Sequence, residues 1–284
     1  MIRLGLIGDN IARSKSPLLH RLAGRLCGLD VSYEPLIPAD LGRSFDEVFA
    51  DCAAGGFRGI NITYPYKEKV TSRLDIPDGL TRAMGACNTV LFGGERPAGH
   101  NTDCSGFAAA FRAAFGPASP GNVAMAGAGG VGKAIAFALS SLGARRLALF
   151  EPDRGRAEAL AASLRSSGSA METEIATSIE AASEGAGGFI NSTPLGMVGH
   201  PGTAFPPPLL ARGEWAFDAV YTPADTEFLK GAARAGLQTI SGYELFFHQG
   251  IDAFRHFTGQ SVDPAQLRAA LADKGGGAPA LRLA

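Results

Sequence analysis

The run VAMAGAGGVGKAIAFAL, residues 123–139, constrains the fold more than any other part of the chain. An apolar strand-like stretch leads into glycines at 127, 129 and 132, and an alanine-rich helical pattern follows. That order matches the phosphate turn of a dinucleotide-binding βαβ unit. Gly127 permits the tight turn. Gly129 lets backbone N–H groups approach a pyrophosphate at the positive end of a helix, and Gly132 lets helix and strand pack closely. A glycine-rich turn with no ligand is the competing reading, and the flanking strand and helix favour dinucleotide binding.

The surrounding pattern extends that unit. NVAMAG, RRLALFE, GFINST, WAFDAVY and LQTIS are five strand candidates separated by helical stretches, as in a doubly wound parallel sheet. Upstream, RLGLIG, VSYEPLIP, GINIT and CNTVLF predict strands, and 17–27 and 40–52 predict helices, so the first hundred residues also have an α/β layout. HNTDCSGFAAAFRAAF places a capping Asp or Ser before an alanine-rich helix, with Pro117, Pro120 and Gly121 behind it as a break. Cys104–Pro120 is therefore the crossing into the second domain. After Gly242, the helical patterns YELFFHQGIDAFRHFTG and Pro264–Asp273 have no strand to follow and are expected to return to the first domain. The tail GGGAPALRLA lacks periodicity and is expected to fray. The expectation is a two-domain α/β chain: residues 1–103 with 243–284, and a Rossmann-type domain over 104–242.

Composition narrows the partners. Across 284 residues the formal net charge is −1, which gives no general electrostatic reason to bind nucleic acid or an anionic membrane surface. A small polar ligand is the better fit. No segment is long and apolar enough for a membrane span, and MIRLGLIGDN is broken by Gly5, Gly8 and Asp9 before it resembles a signal peptide, so a cytoplasmic protein is expected. Cys27, Cys52, Cys87 and Cys104 form no CxxC pair, and the five histidines show no ligand spacing; reduced thiols and no metal site are expected. Phe246, Phe247, Phe254 and Phe257 read as core of the last long helix.

Several polar residues carry possible chemistry. LFEPDRGRAEAL begins about twenty residues past the glycines, where a dinucleotide fold selects its cofactor. Glu151 and Asp153 suit the adenosine ribose hydroxyls and oppose a 2′-phosphate, whereas Arg154 and Arg156 could pair with one; all four could also be solvated turn charges. Hydride transfer from a secondary alcohol needs a proton acceptor, and Lys67 in GINITYPYKEKV and Asp103 in GHNTDCSG both sit at expected strand ends. Taken singly, each reads as an exposed turn charge. Ser14 and Ser16 in ARSKSPLLH offer hydroxyls to a carboxylate or to a helix cap, and Asn88, Asn101, Thr102 and Gln249 could read hydroxyl groups.

SKSP, NITYPYK, GACNTV, GHNTD, GAGGVGKA, NSTPLGM, DAVYTPADT and the Gln249 helix occur in the order found in the shikimate dehydrogenase family, which the chain resembles over nearly its whole length. The resemblance implies a substrate domain made from the N-terminal part and the last helices, with a nicotinamide cofactor domain between them. It implies that Ser14 and Ser16 hold a substrate carboxylate, that Thr63, Asn88 and Gln249 bind ring hydroxyls, and that Lys67 and Asp103 form the catalytic pair. In the cofactor half it implies Gly127, Ala128, Gly129, Gly130 and Val131 at the pyrophosphate and Ser192, Thr193, Pro194 and Leu195 along the ribose. Val220 and Gly242 fall near the nicotinamide. NADP-using members typically carry an Asn-Arg-Ser/Thr-like turn where this chain has Glu151-Pro152-Asp153, so it looks more like the NAD-using quinate/shikimate branch, with NADP the lesser expectation. MVGHPGTAFP and DAFRHFTG strengthen that likeness, while Arg21 after His20 departs from many biosynthetic members. The implied activity is interconversion of shikimate and 3-dehydroshikimate, and of quinate and 3-dehydroquinate, by a monomer or homodimer. An aminoshikimate-type dehydrogenase and a non-catalytic sensor on the same fold stay open.

Overall fold

The computed structural model describes residues 1–277; most of the C-terminal tail expected to fray lies outside the described residues. Two compact units emerge among the described residues, one comprising 1–102 and 249–277, the other 103–248.

The first unit opens with β1 (Ile2–Ile7), α1 (Ser16–Leu26), β2 (Val31–Leu36), α2 (Phe45–Ala54) and β3 (Gly59–Ile62). A short α3 (Gly79–Met84), β4 (Thr89–Leu91) and β5 (Ala98–His100) follow. The sheet order is β2-β1-β3-β4-β5, parallel across the first three strands and antiparallel across β4 and β5. Phe45, Phe49, Ile60, Ile62, Val70 and Val90 fill one side of it. The helix expected over 40–52 begins instead after Ser44. There the Ser44 Oγ accepts the Glu47 N–H at 3.2 Å and the Glu47 carboxylate accepts the Ser44 N–H at 2.8 Å, a reciprocal cap that fixes the start.

The second unit begins with α4 (Thr102–Phe115), whose first residue is counted with the first unit, and continues through β6 (Asn122–Ala126), α5 (Gly130–Ser141), β7 (Arg146–Phe150), α6 (Arg154–Ser166) and β8 (Glu172–Ile175). It then runs α7 (Ile179–Ser183), β9 (Gly188–Asn191), β10 (Trp215–Asp218), α8 (Glu227–Arg234) and β11 (Gln238–Ser241). All six strands are parallel in the order β11-β10-β9-β6-β7-β8, so the winding reverses beside β6. That reversal is where doubly wound sheets bind ligands. Six strands replace the five expected from sequence. The additional one, β8, is an edge strand of sequence ETEI with two exposed glutamates, and charge on an edge hides the strand signal.

The division between units falls inside α9 (Gly242–Thr258), after which α10 (Pro264–Asp273) closes the first unit. Phe246, Phe247, Phe254 and Phe257 are all buried, as the sequence pattern predicts.

Candidate active site

Turns at strand ends carry the polar residues of the first unit. After β3, Thr63 N–H donates to the Ile7 carbonyl and Tyr66 N–H to the Thr63 carbonyl, each at 2.9 Å, and the Lys67 carbonyl accepts Cys87 N–H at 2.9 Å. Gly8 makes room for this turn: a Cβ there would lie 2.3 Å from Thr63 Cγ2. The Tyr66 hydroxyl donates to Asp9 at 2.6 Å and its ring stacks on Phe45, so the segment bearing Lys67 is tied at both ends and at its middle.

Asn88 organises a cluster with Thr102 and Gln249. Its side chain is buried; Nδ2 donates to Thr102 Oγ1 at 3.0 Å and to Gln249 Oε1 at 3.5 Å, while Oδ1 accepts Thr102 N–H at 2.8 Å. Thr102 Oγ1 also donates to Gln249 Oε1 at 3.3 Å. Asn88 thus satisfies the first amide of α4, which is why the helix starts one residue before Asp103. Asp103 lies in the first turn of α4 and is buried, rather than at a strand end, and neither it nor Ser105 is the expected cap. Asn101 is occupied elsewhere, donating to the Ala86 carbonyl at 2.8 Å. Ser14 and Ser16 come together at 3.1 Å between hydroxyls, Ser14 in a turn and Ser16 already the first residue of α1.

The sequence places Asn61 on a strand beside Thr63 and Lys67 but assigns it no role in supporting this cluster. Asn61 accepts the Tyr33 hydroxyl at 2.8 Å and donates to the Asn88 carbonyl and to Thr89 Oγ1 at 3.0 and 3.1 Å. His20 stacks on Tyr33 with centroids 4.7 Å apart and planes 9° from parallel. Burial pushes the His20 ring down to a pKa of about 3; the Asn61 side chain offsets part of that. An asparagine inside an apolar strand was the available signal, since a buried amide demands partners.

In the second unit the glycine turn sits at the reversal point. Gly127 has φ +99°, and a Cβ there would meet the Ser192 carbonyl oxygen at 2.9 Å; at Gly132 it would meet the Gly127 carbonyl oxygen at 2.6 Å. The start of α5, at Gly130 and Val131, has no side-chain cap, leaving its N–H groups for an anion. Ser192 Oγ donates to the carbonyls of Ala126 and Gly127 at 2.7 and 2.9 Å, tying the end of β9 to that of β6. Thr193, Pro194 and the exposed Leu195 continue from it, with Thr193 Oγ1 donating to Asn191 at 2.7 Å.

At the end of β7, Glu151 accepts Ala128 N–H at 2.8 Å with one oxygen and Asp153 N–H at 3.1 Å with the other. Asp153 caps α6 through Arg156 N–H, and Arg154 pairs with Glu158 at 2.8 Å along its own helix. Arg156 reaches the glycine turn: its Nη2 lies 3.9 Å from where a Cβ on Gly129 would be. Val220 N–H donates to Asp218 at 3.0 Å, and a Cβ on Gly242 would meet the Ala219 carbonyl oxygen at 2.6 Å. Asp218 also accepts from Asn191 at 2.9 Å and from Thr226 at 2.6 Å, and burial raises its pKa to about 7 against these donors. Asn191, Asp218 and Thr226 brace the turns after β9 and β10, a role that sequence reasoning did not assign.

All four cysteines are free thiols. Among the described residues no group of three or more His, Cys, Asp or Glu could hold a metal ion, and no helix is long and apolar enough to cross a membrane.

A six-stranded sheet with this glycine turn and an acidic residue after its second strand defines a dinucleotide-binding α/β protein. The profile of the shikimate dehydrogenase substrate binding domain matches residues 6–90. A quinate/shikimate dehydrogenase (NAD(+)) of Corynebacterium efficiens is 39% identical over 94% of this chain and 96% of its own. Quinate dehydrogenase of Corynebacterium glutamicum, solved with NAD, superposes with a TM-score of 0.86 at 36% identity over 96% of this chain and 99% of the other. Shikimate 5-dehydrogenase of Thermus thermophilus, solved with NADP(H) and shikimate, gives 0.81 at 32% identity over 96% and 99%. The chain belongs to the shikimate dehydrogenase family, NAD(P)-dependent oxidoreductases that act on CH–OH groups.

Proposed function

We propose that this chain interconverts shikimate with 3-dehydroshikimate, and quinate with 3-dehydroquinate, using NAD in preference to NADP. The observation that carries the activity is the Asn88–Thr102–Gln249 cluster, three hydroxyl-reading side chains meeting beside the Lys67 turn and immediately before Asp103 in the chain. Ser14 and Ser16 hold the substrate carboxylate through charge-assisted hydrogen bonds, and Thr63, Asn88 and Gln249 take the ring hydroxyls. During oxidation Lys67 accepts the proton of the reacting hydroxyl and Asp103 orients lysine and substrate; during reduction Lys67 returns the proton.

The glycine turn fits the cofactor, because its backbone leaves a cradle that side chains at 127 and 132 would fill. Gly127 to Val131 hold the pyrophosphate, Ser192 to Leu195 flank the ribose, and Val220 and Gly242 shape the nicotinamide end. Bound there, the nicotinamide supplies the hydride acceptor for oxidation and the hydride donor for reduction. The NAD preference rests on Glu151, whose two oxygens are held by Ala128 and Asp153 amides at the ribose end of the turn.

Assaying shikimate and quinate against NAD and NADP, followed by nicotinamide absorbance, tests the reading. Turnover of at least one acid with kcat/KM higher for NAD is expected. No turnover with any pair refutes the activity, and a preference for NADP refutes the cofactor assignment.

A further inference from the structure

His100 and His256 stack with ring centroids 4.1 Å apart and planes 25° from parallel, both half-buried in the first unit. Neither belongs to the site described above, but each is joined to it. His100 ends β5, is paired in register with Thr89, and gives its carbonyl to Asn88 N–H at 3.1 Å. Two residues later comes Thr102. His256 lies seven residues after Gln249 on α9, two helical turns along the same face and roughly 10 Å away. The ring stack therefore joins the strand that positions Asn88 and Thr102 to the helix that presents Gln249.

We infer that the His100–His256 stack is a proton-sensitive positioning pair: neutral, it keeps Gln249 against Asn88 and Thr102, and once protonated it parts and weakens substrate binding. This rests on the reading of those three residues as the substrate contacts. Two neutral imidazoles stack favourably, whereas two imidazolium rings at this separation repel. The charged groups facing the pair are few. Asp78, the cap of α3, favours protonation of His100, and its carboxylate is already committed to Thr81 N–H and hydroxyl at 2.7 Å each. On α9, Asp252 favours protonation of His256 while Arg255, bonded to Asp252 at 3.0 Å, opposes it. Burial lowers both rings below their ordinary 6.5, and the charge of His256 lowers His100 further. The pair is accordingly neutral at pH 7 and takes up protons as pH falls below 6.5.

Proton uptake and substrate binding are then linked in both directions. Between pH 7.5 and 5.5 the Kd for shikimate, measured by calorimetry on the full chain, should rise roughly fivefold to tenfold, the lower part of the usual range for coupled sites. His256→Phe keeps a ring for the stack but cannot titrate, so its Kd should match wild type at pH 7.5 and stay nearly flat to pH 5.5. A variant that reproduces the wild-type profile overturns the inference. Should His256→Phe fail to fold, imidazole NMR of the wild type decides: saturating shikimate should lower the midpoints of the two rings by a combined shift of about 0.7–1 pH unit or more, because the shifts of both rings add up to the logarithm of that fold-change. Unmoved midpoints overturn the inference. Gln249→Ala separates the two layers. If it weakens shikimate binding at pH 7.5 while the histidine tests fail, the pair alone is refuted; if it binds shikimate normally, the substrate reading falls and the inference with it.

Discussion

Protonating His20 in the folded chain is expensive, and that cost makes the ring a destabilising contribution to the fold in acid. The ring is 1% exposed, lies flat on Tyr33 and has Phe254 and Phe257 beside it at 6.3 and 5.7 Å. Its Nδ1 has no hydrogen-bond partner among the described residues. With a folded pKa of about 3 against an ordinary 6.5, the folded ring stays neutral while the unfolded chain takes up a proton below pH 6.5. The depressed value means that this stability is fully present above 6.5 and is lost as pH falls toward 3. Linkage puts the loss between pH 7.5 and 5.0 at about 2 kcal/mol from this one ring. His20→Phe preserves an aromatic partner for Tyr33 and removes the titration. Urea denaturation of both proteins at the two pH values isolates the effect, because groups elsewhere cancel in the double difference. Whatever the variant's stability relative to wild type at pH 7.5, it should gain about 2 kcal/mol on wild type at pH 5.0. A gap that does not change with pH would show that His20 is protonated alike in both states and would refute the reasoning.

Lys67→Ala should lower kcat by about 10²–10⁴-fold with a modest change in KM, as expected for loss of a general base; steady-state kinetics with shikimate checks it, and near-normal kcat sinks the assignment. Glu151→Ala should narrow the preference for NAD: a carboxylate and a 2′-phosphate charge at about 4 Å repel by roughly 4 kcal/mol at an effective dielectric of 20, and even a third of that is about tenfold in kcat/KM. Gly127→Ala forces a Cβ to within 2.9 Å of the Ser192 carbonyl at a φ of +99°, so nucleotide affinity measured by fluorescence should fall more than about tenfold. Ser44→Ala removes the reciprocal cap of α2 and should cost about 1 kcal/mol in denaturant unfolding without changing turnover.

Local signals made the cofactor half legible. The three glycines and the runs on either side of them identify β6, the turn and α5, because each step of that turn needs a glycine for a different steric reason. Features built from distant residues were not legible. The start of α4 depends on Asn88, fourteen residues earlier in the chain, so the helix begins at Thr102 and Asp103 is carried into its first turn. Asn61 sits in GINI, a run that reads simply as a buried strand; its amide gains meaning only once Tyr33, Asn88 and Thr89 surround it. The Asn191–Asp218 bond spans 27 residues and requires β9 and β10 to be neighbours. The same holds for His100 and His256, which meet only because α9 returns to the first unit.

The turn after β7 shows why residue types at a site do not by themselves rank their roles. Sequence places Glu151, Asp153, Arg154 and Arg156 together with zero net charge, so the expectation of NAD drawn from Glu151 has two arginines set against it. Folding gives the four different tasks. Asp153 is spent on capping α6, and Arg154 on a surface pair with Glu158 that contributes little. Glu151 and Arg156 are the two charges beside the glycine turn. Glu151 is held by two backbone amides, so its position is set before any ligand arrives, whereas Arg156 is exposed on a long side chain beside Gly129. A prepositioned carboxylate repels a 2′-phosphate without further ordering, and a guanidinium that attracts one has to act against that repulsion. The fixed position of Glu151, rather than the count of charges, is the physical case for the proposed preference for NAD.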